Sequence, residues 1–325
     1  MINLRTDLAL EAREIYSEGK KEQEIDGVTF YKEKIKDITV TTVEITNKEG
    51  MKKLNKPVGR YVTLESKRIK SMDPEFSKEI SYVLKDELEK IIKLEKDDNV
   101  LVVGLGNWNI TPDALGPKVI SEIMVTKHLK DYMPEHMDDD IRAVSAISPG
   151  VLGITGVETS DIIKGIVKKV KPALVIAIDA LASKSPERIS TTIQITDTGI
   201  NPGSGIGNKR AGLNYNTLNV PVVAIGVPTV VDALSIAAEL TNKLFTKILE
   251  SSDADSKLYS AINTLKENGE EKLISSVIED EKRELMVTPK EVDNLISHIS
   301  TVIANGINLA LHKNIDLEYI ESFTF

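Results

Sequence analysis

Two aspartates in this chain stand where catalytic carboxylates are expected. One lies in the loop after a short apolar run, and the other directly follows a second such run. Asp113 lies in the loop GLGNWNITPDALGP (104–117), which follows one such run and opens a helical pattern. Asp179 follows the run 174–178 and precedes Ala180. If both runs are buried parallel strands, the two carboxylates face one crevice at the carboxyl edge of the sheet. The sequence therefore predicts a carboxylate pair.

A pair of neighbouring carboxylates can carry out acid–base chemistry. The two charges repel, so the pKa of one member is raised, and a shared proton then provides one general acid and one general base. Such a pair can activate water against a peptide bond without a metal or a covalent nucleophile. Each residue also has a simpler interpretation: Asp113 could cap the helix that starts near Ala114, and Asp179 could be an ordinary turn residue.

Two glycine-rich loops are candidates for contacting a substrate. The pair Gly104 and Gly106 permits a tight turn, but the third glycine of a dinucleotide fingerprint is replaced by Asn109, which disfavours a nucleotide site. The loop DTGINPGSGIGNKR (197–210) could present N–H groups to an anion or a peptide carbonyl, or be a flexible turn. The substrate and oxyanion candidates are Asn107, Gly203, Ser204 and Gly205.

Composition excludes several classes of function. The 325 residues include no cysteine, which rules out disulfides, a thiol nucleophile and zinc–thiolate sites and fits a reducing cytoplasm. A formal net charge of -9 argues against nucleic-acid binding, and no apolar stretch is long enough to span a bilayer. The four histidines show no metal-ligand spacing. We expect no cofactor, no bound metal, no nucleic-acid partner and no membrane contact.

The order of apolar patterns predicts the fold class. Strand-like runs alternate with helical patterns over about 96–250, which favours a parallel sheet covered on both faces. The first 65 residues contain alternating runs at 37–45 and 57–64 that predict a small β-containing elaboration. Residues 256–325 predict a helical extension. We therefore expect an α/β fold with a mostly parallel, twisted sheet and helices on both faces.

Several long strings are typical of one family. These are GLGNWNITPDALGP, SPGVLGITGVETSD, IDALASKSPERI, DTGINPGSGIGNKR and IGVPTVVDA, in this order over about 100–235. The chain resembles the germination (spore) protease family, which degrades small acid-soluble spore proteins. The resemblance implies an atypical, aspartic-type endopeptidase whose catalytic residues fall on Asp113 and Asp179. It also implies a homotetramer in the cytoplasm of the forespore or spore core.

The resemblance further implies a self-processing zymogen. The family removes its own N-terminal segment by cutting after an acidic residue and before an apolar residue that alanine follows. The string RTDLALE (5–11) fits this rule. We therefore expect residues 1–7 to be a propeptide cleaved between Asp7 and Leu8, and residues 8–325 to form a single α/β peptidase domain.

Two alternatives remain open from the sequence. The core is also similar to hydrogenase maturation endopeptidases, which share a strand, a GxGN–acidic–helix opening and a later strand that ends in Asp-Ala. In that family the acidic residues, together with a histidine, bind a metal of the substrate, whereas here no histidine lies within 176–233. The alternatives are a metal-binding maturation-type endopeptidase and a non-catalytic module that binds spore proteins intact.

Overall fold

The computed structural model describes residues 6–17, 24–201, 211–251, 256–268 and 285–323. Among these residues, no helix is long and apolar enough to cross a membrane. The strands are β1 (Val28–Ile35), β2 (Ile38–Ile45), β3 (Gly59–Glu65), β4 (Val100–Gly104), β5 (Val144–Ile147), β6 (Leu174–Ser183), β7 (Thr192–Thr196), β8 (Val222–Asp232) and β9 (Met286–Val287). The helices are α1 (Ala9–Ser17), α2 (Lys48–Leu54), α3 (Pro74–Ile91), α4 (Leu115–Ile120), α5 (Lys127–Tyr132), α6 (Leu152–Thr155), α7 (Thr159–Val170), α8 (Tyr215–Leu218), α9 (Ala233–Ser251), α10 (Lys257–Asn268), α11 (Val292–Leu311) and α12 (Leu317–Phe323).

The strands of the described residues form one sheet of nine strands in the order β1-β2-β3-β7-β8-β6-β4-β5, with β9 paired to β8. The pairs β4–β5, β4–β6 and β6–β8 are parallel, and the other pairs are antiparallel. The predicted α/β class is confirmed. The sheet is mixed rather than mostly parallel, because the N-terminal strands extend the central sheet instead of forming a separate elaboration.

The direction of β7 explains how the antiparallel half arises. Only residues 184–191 connect β6 to β7, and a parallel crossover needs a dozen or more residues. The chain therefore reverses, and β7 runs antiparallel to β8. The strand β3 then joins the free edge of β7, again antiparallel.

The two faces of the sheet have different coverings, because side chains alternate along each strand. On the first face, α3, α4 and α11 pack on one core that draws on residues from Ile38 to Leu311. On the second face, Ile163 and Val167 of α7 and Leu218 of α8 cover β4 and β6. Also on this face, Ala9 of α1 covers the β2–β3 side. Asp179 of β6 and Gln194 of β7 alternate with core residues of the first face and therefore lie on this second face.

Two predicted helix boundaries differ from the structure for local reasons. The sequence predicts a helix from Val230, but β8 continues through Asp232, whose carboxylate then accepts the N–H of Ser235 at 2.7 Å and caps α9. A helix was expected over 114–128, but α4 ends at Ile120 and α5 starts at Lys127. Apolar residues recur at helical spacing over 75–95, which predicts an amphipathic helix. The structure confirms it as α3, which starts after Asp73 with proline in its first turn.

Candidate active site

The loop after β4 brings Asp113 back towards the sheet. The N–H of Leu105 donates to the carbonyl of Ile178 at 2.8 Å, so the loop begins beside the residue that precedes Asp179. Gly106 has φ +113°, and a Cβ there would lie 2.0 Å from the carbonyl oxygen of Asp113. A glycine is therefore required where the loop folds back. The 3-10 turn Thr111–Asp113 contacts both β6 and β8.

The carboxylate of Asp113 closes its own loop. The N–H of Asn107 donates to Asp113 Oδ2 at 2.8 Å and also lies 3.1 Å from the carbonyl oxygen of Asp113. The helix α4 starts from Ala114 without a side-chain cap, so the capping interpretation of Asp113 is wrong. The Oδ1 of Asn107 accepts the N–H of Asn109 at 3.0 Å. The main-chain N–H of Asn107, an oxyanion candidate from the sequence, is thus bonded to Asp113.

Asp179 lies within β6 rather than at its end. The strand continues to Ser183, so the interpretation of Asp179 as a turn residue is wrong. The side chain is buried, and its Oδ1 accepts the N–H of Ala180 at 2.9 Å. Asp179 is paired with Gly226 of β8, and Gly226 is paired with Gln194 of β7. These three residues therefore form one row across the second face of the sheet.

A small cavity lies over the Gly226–Gln194 end of this row, and Asp179 and Asp113 are not among the residues that line it. Neighbouring strands are about 4.8 Å apart, so the Cα atoms of Asp179 and Gln194 are separated by roughly 10 Å, with a glycine between them. A Cβ on Gly226 would lie 2.4 Å from Leu181, whose side chain leans over the glycine. The cavity has a volume of about 120 Å³, and its lining includes Tyr61, Leu181, Gln194 and Gly226.

Two of the side chains that line the cavity, Tyr61 and Lys56, have shifted pKa values. Burial raises the pKa of the Tyr61 phenol to about 12, so this hydroxyl keeps its proton at neutral pH. Burial lowers the pKa of the Lys56 ammonium, and the charges of Asp7 and Glu11 partly oppose that shift. On the side of β3, the cavity is therefore lined by two donors: the Tyr61 hydroxyl, which donates to the carbonyl of Pro57 at 2.9 Å, and the ammonium of Lys56.

The N-terminal segment 6–9 occupies this region and leads into α1, which starts at Ala9. The N–H of Asp7 donates to the carbonyl of Ala182 at 3.0 Å, and the N–H of Ala182 donates to Asp7 Oδ2 at 2.9 Å. Leu8 and Ala9 are fully buried, and Ala9 packs in the cluster that contains Tyr61. The acidic side chain of Asp7 is therefore hydrogen-bonded to β6, and the side chains of Leu8 and Ala9 are shielded from solvent. The segment follows β6 beyond the point where β4 ends.

The structure places Asp113 in the 3-10 turn before α4 and Asp179 inside β6, whereas Lys56 and Gln194 line the cavity. Gly203, Ser204 and Gly205 lie outside the described residues, and so does the rest of 202–210. Sequence reasoning missed Lys56 and Gln194. The alternation in TIQIT of β7 marks Gln194 as a polar residue on one face of a strand, which is a weak signal. Nothing in the sequence around Lys56 marks it.

His298, within α11, and His312, directly after it, take part in hydrogen bonds outside the lining of the cavity. His298 is 3.3 Å from the hydroxyl of Ser77. His312 accepts the N–H of Arg142 at 3.1 Å, and burial lowers its pKa to about 4. Within the ranges described by the structure, no group of three or more histidine, cysteine, aspartate or glutamate residues is arranged to hold a metal ion.

Comparisons with known proteins identify the class to which this fold and site belong. A family model described as germination protease matches residues 9–257 and 241–324. A germination protease of Clostridium perfringens is 49% identical over 324 residues, which cover 99% of both chains. One of Caldanaerobacter subterraneus is 50% identical over 97% of this chain and 96% of the relative, and one of Bacillus cereus is 43% identical over 99% and 97%.

A solved structure of a NiFe hydrogenase maturation protease, HycI from Thermococcus kodakarensis, matches 44% of this chain and 80% of its own, with 20% identity and a TM-score of 0.29. The mixed α/β fold and the peptidase relatives together define a protease, a hydrolase of peptide bonds. The chain belongs to the germination protease family.

Proposed function

We propose that this protease degrades small acid-soluble spore proteins during spore germination and that Asp113 and Asp179 are its catalytic pair. The observation that carries the proposal is the docking of segment 6–9, with its acidic–apolar–alanine order, beside the row that contains Asp179. The loop 105–113 returns Asp113 towards the same part of β6. Family membership supports the spore proteins as the substrate class.

In the proposed mechanism, the two carboxylates hold the attacking water between them. One carboxylate accepts the proton of the water as the oxygen attacks the scissile carbonyl carbon. The other donates a proton to the leaving nitrogen, and the C–N bond breaks.

The same proposal includes self-processing. Residues 1–7 are the propeptide, the bond between Asp7 and Leu8 is cleaved, and residues 8–325 form the peptidase domain. The contacts of Asp7 with Ala182 and the burial of Leu8 and Ala9 support this choice of bond. Family resemblance adds the homotetramer and the location in the forespore or spore core to the proposal.

Cleavage of a purified small acid-soluble spore protein tests this function. Asp113→Asn and Asp179→Asn should each lower the cleavage rate by about 10²–10⁴-fold, the usual contribution of a positioned general acid or base. The control Asp161→Asn, on the exposed surface of α7, should cleave at the parental rate. Mass spectrometry of the products should show cuts after acidic residues and before an apolar residue that alanine follows. Parental rates in both active-site variants would refute the assignment.

A further inference from the structure

One carbonyl oxygen in the docked segment accepts hydrogen bonds from two side chains on different elements. The carbonyl of Asp7 lies 3.0 Å from the Nζ of Lys56 and 3.3 Å from the Nε2 of Gln194. This carbonyl belongs to the peptide bond between Asp7 and Leu8. Lys56 precedes β3, whereas Gln194 lies in β7, so the two donors approach the oxygen from separate parts of the chain.

The amide of Gln194 holds the segment on both sides of Leu8. Its Oε1 accepts the N–H of Ala9 at 2.8 Å, which leaves Nε2 to donate to the carbonyl of Asp7. Leu8 therefore lies between two fixed main-chain groups. The amide of Gln194 thus holds the carbonyl of one peptide bond and the N–H of the next.

The second donor carries a positive charge close to the same oxygen. Lys56 also donates to the carbonyl of Thr6 at 3.1 Å, so its ammonium is oriented by two main-chain oxygens. Burial lowers the pKa of this ammonium, and the charges of Asp7 and Glu11 oppose that shift. A fixed cation beside a carbonyl stabilises the negative charge that develops on the oxygen during attack, and it does so most strongly where water is excluded.

We propose that Lys56 and Gln194 form the oxyanion hole of this protease. This inference rests on the proposed function, since it takes the bond between Asp7 and Leu8 as the first substrate. Water adds to the carbonyl carbon of Asp7 and gives its proton to one carboxylate of the pair. The carbonyl oxygen becomes an oxyanion bonded to Lys56 and Gln194. The C–N bond to Leu8 then breaks as the leaving nitrogen receives a proton from the other carboxylate.

The same two side chains then serve protein substrates. Once residues 1–7 have left and Leu8 and Ala9 have moved away from Gln194, a substrate places the carbonyl of its acidic residue where that of Asp7 lay, and the N–H two residues later reaches Gln194. This arrangement replaces the Asn107 main-chain N–H that the sequence suggested, because that N–H is bonded to Asp113.

Self-cleavage of the full chain tests the inference. Its substrate is already bound, so the first-order rate constant reports the chemical step alone. Loss of one oxyanion donor should lower that constant about 10²–10³-fold in Lys56→Met. Gln194→Glu, which keeps an acceptor for the N–H of Ala9 but removes the donor, should lose at least tenfold. Lys56→Arg keeps the charge and should lose less than tenfold. Lys53→Met, whose parent lysine contacts Asp26, is the matched control.

Hydrogen exchange of the peptide that covers residues 6–17 separates catalysis from docking. If the two side chains act in catalysis, this segment should stay protected from hydrogen exchange in Lys56→Met and Gln194→Glu even though cleavage is slow. Cleavage within threefold of the parental rate in both variants overturns it. So does slow cleavage with lost protection, because the side chains would then only hold the segment. A parent chain that is not cut between Asp7 and Leu8 contradicts the proposed function instead.

Discussion

At the scale of single residues, one buried carboxylate fixes the N-terminal segment to the sheet. Glu11 is 1% exposed, and its two oxygens accept the N–H groups of Lys184 at 2.6 Å and Ser185 at 3.0 Å. Arg188 adds an ion pair at 3.3 Å. A carboxylate this buried is stable only because its lone pairs are filled by such donors. With Asp7 bonded to Ala182, the segment is attached at two points along β6 and the connection that follows it.

Replacement of Glu11 by glutamine should weaken this attachment. The variant loses the charge that strengthens two hydrogen bonds and one ion pair, so the free energy of unfolding should fall by about 2–3 kcal/mol. Glu14→Gln is the control, because Glu14 pairs with the same arginine but is 46% exposed, and it should cost about 1 kcal/mol or less. Urea unfolding at neutral pH measures both. Equal losses in the two variants would contradict the anchoring role.

Of the residues that we propose for the site, only some could be proposed from the sequence. Asp113 and Asp179 could be, because strand patterns placed them near the carboxyl edge of the sheet. Gln194 and Lys56 could not, because their role depends on a segment 187 and 49 residues away in the chain. Local patterns contain no information about such contacts.

At the scale of elements, the tight contact between β4 and α4 positions the loop that carries Asp113. A Cβ on Gly104 would lie 2.2 Å from the carbonyl oxygen of Gly116, which is main chain and has little freedom to move. The strand and the helix therefore touch backbone to backbone. The alternation of strands and helices here was predictable from apolar periodicity, but the order of strands was not, because β3 pairs with β7 across more than a hundred residues.

Substitution of Gly104 by alanine should separate these two elements. The variant should lose about 1–3 kcal/mol of stability, as for other overpacked cores, and its cleavage rate should fall as Asp113 moves. Gly165→Ala is the matched control, since nothing lies within 4 Å of a Cβ built there, inside α7. That control should gain about 0.5–1 kcal/mol because alanine restricts the unfolded chain. Thermal unfolding and a cleavage assay would measure both effects, and a Gly104→Ala variant as stable and active as the parent would contradict this account.

At the scale of the whole molecule, the chain presents one of its own peptide bonds to its own cavity. In the segment 6–9, Asp7 bonds to Ala182 of β6 and to Gln194 of β7, and Ala9 packs in the cluster on the second face that contains Tyr61. Both the bond and the residues proposed to cleave it belong to one chain. Self-cleavage should therefore follow first-order kinetics with a rate constant that does not depend on protein concentration.

Intact mass spectrometry with N-terminal sequencing of the purified full chain tests whether the protease cleaves itself between Asp7 and Leu8. The parent should be converted to a chain that starts at Leu8, at the same first-order rate over a hundredfold range of concentration. The Asp179→Asn variant should keep residues 1–7 while it remains folded. A parent cut at another bond, or an Asp179→Asn variant that releases residues 1–7 at the parental rate, would contradict the account.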